Sequence, residues 1–261
     1  MKILFIGEIV AEPGRKAVKK ILPELKKEYD IDLVLSNAEN EAGGKGITKG
    51  TIEELQNIGI DYFTGGDHIY WQRGTEEIID ELPVIRPANY PDDVTAPGKG
   101  YALIDTGKKG KVLLINVMGR TSFGGPSAYL DDPFKKVDQI LEMHKDQNIT
   151  ATIVDFHAEA TSEKVVFGFY LDGRVDAVLG THTHVPTCDN RKLDKGTLYV
   201  TDVGMTGNID SSLGVKTDIV LRMFQTARFQ KFEWEHSGAI AFRSVLLDTE
   251  NKSIIRIDKV L

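Results

Sequence analysis

Apolar positions along the chain switch between two periods. Residues 2–6, "KILFI", are mostly apolar and β-branched, and Gly7 ends them. A short run of this kind reads as a buried strand. "RKAVKKILPELKKEY" follows, with apolar residues at Val18, Ile21, Leu22 and Leu25. That spacing is one face of a helix. Pro13 can open it, while Pro23 falls inside and predicts a kink. "DLVLSNAEN" is a second buried strand running into a polar loop. "TKGTIEELQNIG" predicts a helix with Thr48 as its cap and Gly59 as its stop. "DYFTGGDH" is a third strand, ending in glycines.

The alternation continues through "KVLLINVMG", "DDPFKKVDQILEMHK", "ATIVDFHAE", "TSEKVVFGFYLDG" and "DAVLGTHTH". Strand and helix taking turns predict an α/β fold. The C-terminal part changes character. "GTLYVTDVG", "GAIAFRSVLLD" and "SIIRIDKV" read as strands, with one helix over residues 215–229. They predict a second sheet rich in antiparallel pairs. No linker or internal repeat divides the chain, so residues 1–261 read as one domain. The loop "GRTSFGGPSAYLDDP" is long enough to predict a role over a site.

Polar residues of unusual chemistry fall at the C-terminal ends of these strands. They are Glu8, then Glu39 and Asn40, then Asp67 and His68, then His157, then His182 and His184. In open α/β sheets ligands bind outside the carboxyl ends of strands, so five distant segments can meet there. The set is carboxylate and imidazole without thiolate, which suits Fe, Mn, Zn or Ni better than Mg or Ca. It is too large for one ion and sufficient for two sharing a carboxylate. The two histidines of "GTHTH" can then turn toward different ions. Gly180 is expected to let the strand turn, and the threonines to support the imidazoles. Arg86 and Asn89 of "RPANYP", with Glu159, Thr161 and Ser162 of "DFHAEATSE", are candidates to flank the pocket. His144 reads as a helix-surface residue, and His236 lies in a polar stretch.

Charge narrows the partners. With 32 basic against 39 acidic residues the net charge is -7, which argues against a basic groove for duplex nucleic acid. A small phosphorylated substrate stays open, because metal ions supply local positive charge. Cys188 is the one cysteine, so no internal disulfide can form. Glu8 interrupts the N-terminal apolar run, which therefore does not read as a signal peptide. No apolar run approaches the ~20 residues of a membrane span. A cytoplasmic protein with no membrane partner is expected, and a homo-oligomer.

Six segments, "FIGEIVAEPGR", "NAENEAGGKGIT", "GGDHIY", "RPANYP", "DFHAEATSEK" and "GTHTHVPTCDNR", together resemble the YmdB-like branch of the calcineurin-like metallophosphoesterases. The matches run as far as "TDVGMTG", about four-fifths of the chain. The resemblance implies a four-layer α/β/β/α sandwich with a dinuclear centre of two divalent transition-metal ions, often iron. It implies phosphodiesterase activity on 2′,3′-cyclic nucleotides and similar small diesters, by attack of a metal-bridging hydroxide. One ion would be held by Glu8, Glu39, Asn40 and His184, the other by Glu39, Asp67, His157 and His182. Glu39 would bridge, and His68 would be the general acid. Two positions depart from the family pattern, which usually has Asp where Glu8 stands and Asn where Asp67 stands. Neither change removes a donor atom.

Two other readings compete. A metallo-β-lactamase-like enzyme also uses H-x-H, but that pattern continues H-x-H-x-D-H, and "HTHVPTCDN" has no further histidine. A regulatory or scaffold protein would keep the metal-binding fold with little turnover.

Overall fold

The computed structural model describes residues 1–91, 95–123 and 129–261. Among them, two sheets lie face to face with helices on both outer sides. The first sheet is built on β1 (Lys2–Ile6), β2 (Leu33–Asn37), β3 (Tyr62–Thr64) and β4 (Val84–Ile85), all parallel. The second runs from β5 (Tyr101–Asp105) through β6 (Lys111–Met118), β7 (Ala151–His157) and β8 (Ala177–Thr181) to β9 (Arg191–Lys192) and β10 (Leu198–Val200). Its order is β5-β6-β7-β8-β10-β9, with β6, β7, β8 and β10 parallel.

Alternation along each strand sorts the side chains into layers, because successive residues of a strand face opposite sides. Ile3 and Phe5 of β1 pack between the sheets with Leu35, Leu114, Ile153, Leu179 and Val200. Leu4 and Ile6 point the other way, onto α1 (Ala11–Tyr29) and α2 (Lys49–Ile58) through Val18, Leu22, Ile52 and Leu55. On the far side, α4 (Pro133–His144) and α5 (Thr161–Leu171), which follow the short α3 (Thr75–Ile78), cover Ile115, Val154 and Val178. The order of layers is α/β/β/α, the sandwich implied by the resemblance.

The expected caps of α2 hold. Thr48 caps α2 in a reciprocal pair with Thr51, and Gly59 ends it at φ 118°. Pro23 sits inside α1 on its solvent face, and the helix continues through it to Tyr29.

The C-terminal strands correct the sequence reading. They form no sheet of their own. β12 (Ile240–Asp248) pairs antiparallel with β1, and β13 (Ser253–Val260) with β12, while β11 (Gly207–Asn208) adds to the same edge. The strand expected at "GTLYVTDVG" is only β10, and it joins the second sheet beside β8. Apolar periodicity gives a strand's period but not its partner. His144 is also corrected. It is buried, with Nδ1 2.8 Å from the Ile140 carbonyl and its ring edge-on to Tyr101. α6 (Thr217–Thr226) buries none of its residues.

Candidate metal centre

The strand ends meet at one edge of the two sheets. Beyond β1, Glu8 is buried at the seam, and its carbonyl accepts from the Thr206 amide. Beyond β2, Glu39 is buried too, its Oε2 accepting from the His68 amide at 2.9 Å. Asp67 and His68 follow β3. Gly66 precedes them because a Cβ there would lie 2.3 Å from Glu39 Oε2 and 2.4 Å from His157 Nε2. His157 ends β7, fully buried.

Four of the expected donors form a tight group. Glu39, Asp67, His157 and His182 each offer one atom, all within 4.8 Å of one another. His157 Nε2 lies 3.0 Å from Asp67 Oδ1, 3.3 Å from Glu39 Oε1 and 3.1 Å from His182 Nδ1. Glu8, Asn40 and His184 adjoin it on the Glu39 side. His184 Nε2 is 3.4 Å from Glu8 Oε2 and 3.3 Å from Asn40 Nδ2, which itself donates to Glu39 Oε1 at 3.2 Å. His68 stands at the rim, with Nδ1 2.9 Å from Asn40 Oδ1 and Nε2 3.4 Å from Asp67 Oδ2.

The "HTH" segment turns its two imidazoles apart through its backbone. His182 has φ 99° and His184 φ 64°, both in the left-handed region. Non-glycine residues avoid that region, and where they occupy it the surrounding fold imposes it. A buried ion pair supplies part of the frame. Lys164 Nζ donates to Asp202 at 2.8 Å and to the carbonyls of Ala158 and Thr181, and Asp202 accepts from the Thr183 amide at 3.2 Å. The expected role of Gly180 is corrected here. It lies within β8 with no left-handed φ, and a Cβ would meet Thr201 O at 1.7 Å and Lys164 Cε at 2.7 Å. It permits close approach instead of a turn.

A threonine of "GTHTH" supports an imidazole, as expected, but Thr181 serves His157, and the Asp155 that completes a polar relay behind it escaped the sequence reading. Thr181 Oγ1 donates to Asp155 Oδ1 at 2.7 Å, so its oxygen is left to accept from His157 Nδ1 at 3.0 Å. Nδ1 therefore carries hydrogen, and Nε2 faces the donor group. Asp155 also accepts from Thr64 and from Asn37 at 3.2 Å. The signal was faint: a lone Asp inside the apolar run "ATIVDFH".

Electrostatics express the crowding. Burial alone would depress His157, but Glu39, Asp67 and Glu8 outweigh it and push the imidazole up to about 10. Burial also opposes charge on Asp67, yet hydrogen bonds from His157 and His182 hold its carboxyl well below the usual range. Burial is opposed again at Glu39, where His157 and His68 hold the carboxyl down. At Glu8 burial prevails and pushes the carboxyl well up. Burial pushes His184 down to about 4, which leaves it neutral as a ligand must be. Glu8 Oε2 and His184 Nδ1 are buried without a hydrogen bond. Carboxylates forced together around imidazoles, with orphaned polar atoms beside them, fit a cation. Glu39, Asp67, His157 and His182 can hold a metal ion.

The flanking candidates divide. Glu159 Oε2 is 3.0 Å from His182 Nε2. Asn89 instead ties Met118 to Asp131 by hydrogen bonds to their backbones, and Arg86 donates to the Pro87 carbonyl. Thr161 and Ser162 open α5. Of the loop expected over the site, residues 124–128 lie outside the described residues, but the Phe123 ring is 4.6 Å from that of His182.

Comparison with known proteins identifies the family. A model of the YmdB-like proteins matches residues 4–260. The chain belongs to the YmdB-like family. A relative from Bacillus subtilis (strain 168), the 2′,3′-cyclic-nucleotide 2′-phosphodiesterase, is 41% identical over 267 aligned positions, covering all of this chain and 97% of the relative. A crystal structure of a hypothetical protein from Thermus thermophilus superposes with TM-score 0.89 at 40% identity, covering all of this chain and 99% of that one. A phosphatase structure from Mycoplasma pneumoniae superposes with TM-score 0.88 at 32% identity, covering all of this chain and 92% of that one. For this YmdB-like chain the metallophosphoesterase fold and the donor cluster coincide.

Proposed function

We propose that this YmdB-like chain hydrolyses small phosphodiesters, with 2′,3′-cyclic nucleotides as its substrate class, at a centre for two divalent transition-metal ions. The chain is an enzyme of the phosphoesterase class, as its relatives are named. The observation that carries the reading is the sharing of Glu39 between two donor groups. Asp67, His157 and His182 lie on one side of it, and Glu8, Asn40 and His184 on the other. Iron is the proposed metal, and Mn, Zn and Ni suit the same donors.

Bound cations supply an acidified water and neutralise charge that develops on the phosphoryl oxygens. The chain's residues do the rest. Glu39 is held by the His68 amide, and His157 by Thr181, so neither must reorganise when substrate arrives. Asn40 Oδ1 accepts from His68 Nδ1, which leaves Nε2 available for proton transfer. As water adds to phosphorus and the P–O2′ bond breaks, His68 gives its proton to the leaving O2′. The product is the 3′-monophosphate. Residues 1–261 act as one domain in this reading, since β12 returns from the far end of the chain to pair with β1. A homo-oligomer is supported by α6, whose Leu221 and Phe224 are exposed together.

The test is anaerobic purification, metal analysis and a substrate screen. The expected result is about two ions per chain and conversion of 2′,3′-cyclic AMP to 3′-AMP. His68→Ala should keep both ions and lose ~10²–10⁴-fold on the cyclic nucleotide, with a smaller loss on a nitrophenyl diester whose leaving group hardly needs a proton. Equal losses on both would remove His68 as the acid. Metal uptake without turnover would favour the scaffold reading.

A further inference from the structure

Beside the donor cluster lies a cavity of about 480 Å³ that the chemistry above does not use. Asp67, Tyr70, Trp71, Tyr90, Met118 and Tyr129 line it. We propose that this cavity is a nucleobase subsite, which stacks the base of the substrate on Trp71 and Tyr129. The proposal rests on the phosphodiesterase reading and deepens it.

Continuity comes first. Asp67 belongs both to the donor group and to the cavity wall. Trp71 stands edge-on to His68, with ring centroids 5.5 Å apart. A ribose whose O2′ takes a proton from His68 has the Trp71 ring within reach of its base. The volume lies within the ~300–1,000 Å³ of small-molecule sites.

The wall has the chemistry of a stacking platform. Trp71 is 61% exposed and Tyr129 80%, large rings left in water at the mouth of a cavity. Other contacts fix the rings of this wall. Lys45 Nζ covers one face of Trp71, 4.2 Å from the ring centroid, so a base takes the other. Tyr70 donates its hydroxyl to the Pro97 carbonyl and meets Tyr90 edge-on at 5.7 Å. Arg86 lies 5.3 Å from the centroid of Tyr90. Among the described lining residues Asp67 is the sole charged one, so the wall addresses the π face of a base more than its edges. Such sites discriminate by stacking strength, and purines should lead pyrimidines modestly.

Stacking on an aromatic residue is worth ~1–3 kcal/mol per base by alanine substitution, about 5- to 150-fold. The test compares 2′,3′-cyclic AMP with ethylene phosphate, a five-membered cyclic diester without sugar or base. For Trp71→Ala and Tyr129→Ala the ratio of kcat/KM between the two substrates should fall about 5- to 150-fold. Tyr129 is the control for Trp71, whose loss also removes a neighbour of His68. Equal losses on both substrates for both variants, or none, would overturn the subsite. A second readout does not depend on turnover. The chain has two tryptophans, and in a Trp234→Phe background Trp71 is the only one. 3′-AMP should quench its fluorescence and ribose 3-phosphate should not. If the metal-loaded protein hydrolyses neither diester, the phosphodiesterase reading fails. The quench then decides the subsite, and its absence would overturn it.

Discussion

His182 Nδ1 lies 3.1 Å from His157 Nε2, though 25 residues separate them in the chain. Asp67 Oδ1 is 3.0 Å from the first of these imidazoles to be reached along the chain, His157, and 3.4 Å from the second. Two ring nitrogens and a carboxylate at such distances can share a proton, and the same atoms can share a cation.

Metal uptake should therefore release protons. The His157 imidazole is pushed up to about 10, so below that pH its Nε2 carries hydrogen that a ligand cannot keep. His184, pushed down to about 4, has none to lose near neutrality. Binding should release a proton from His157 at pH 7, with a further contribution from the raised Glu8 carboxyl, and affinity should climb with pH until about 10. Calorimetry in buffers of different ionisation enthalpy measures this. A heat of binding independent of buffer would contradict it.

Asp67 makes that proton hard to remove. Its own carboxyl is held well below the usual range, so it is ionised at working pH. Asp67→Asn removes one negative charge from beside His157 and the proposed metal centre. The acid limb of the pH–rate profile should move down, because a less neutralised cation pair acidifies water more. Phosphate inhibition should tighten, and metal retention weaken. An unchanged or raised kinetic pKa, with metal content verified, would show that position 67 is electrostatically silent.

The Thr181 hydroxyl should matter to the metal without touching it. It fixes which nitrogen of His157 faces the donors. Thr181→Val keeps the shape and removes the acceptor. Metal affinity should fall ~10–100-fold, the usual cost of losing such a partner. Dissociation constants from competition with a chelator would read it, and an unaltered affinity would make the relay a fold element only.

Backbone strain at the "HTH" segment predicts a difference between two deletions. His182→Ala and His182→Gly both remove a proposed ligand, so both should bind metal less well. Alanine must also hold φ 99°, which glycine adopts freely. With chelator present, the glycine variant should be the more stable by about 1 kcal/mol. Equal denaturation midpoints would mean the segment relaxes once the ligand is gone.

The sequence by itself determined the period of most elements, the caps of α2, and the chemistry available at the strand ends, while α3, β4, β5, β9 and β11 went unread. Period and capping are local properties, carried by neighbours a few residues apart. Glu8, Glu39, Asn40, Asp67, His157, His182 and His184 were legible as candidates because carboxylates, an amide and imidazoles stood where buried strands stop, and the structure brings Glu39, Asp67, His157 and His182 together. Only the tertiary structure decided which strands adjoin. β12 pairs with β1 across more than two hundred residues, and no apolar pattern states a partner at that distance. The same holds for the relay and the cavity. Thr181 serves His157 because the register of β7 and β8 sets the two side by side, and a shift of one residue would turn Thr181 to the other face. Tyr129 and Trp71 share a wall only because loops following different sheets converge there. Register and convergence are fixed by packing two sheets face to face, and that packing is a property of the whole chain.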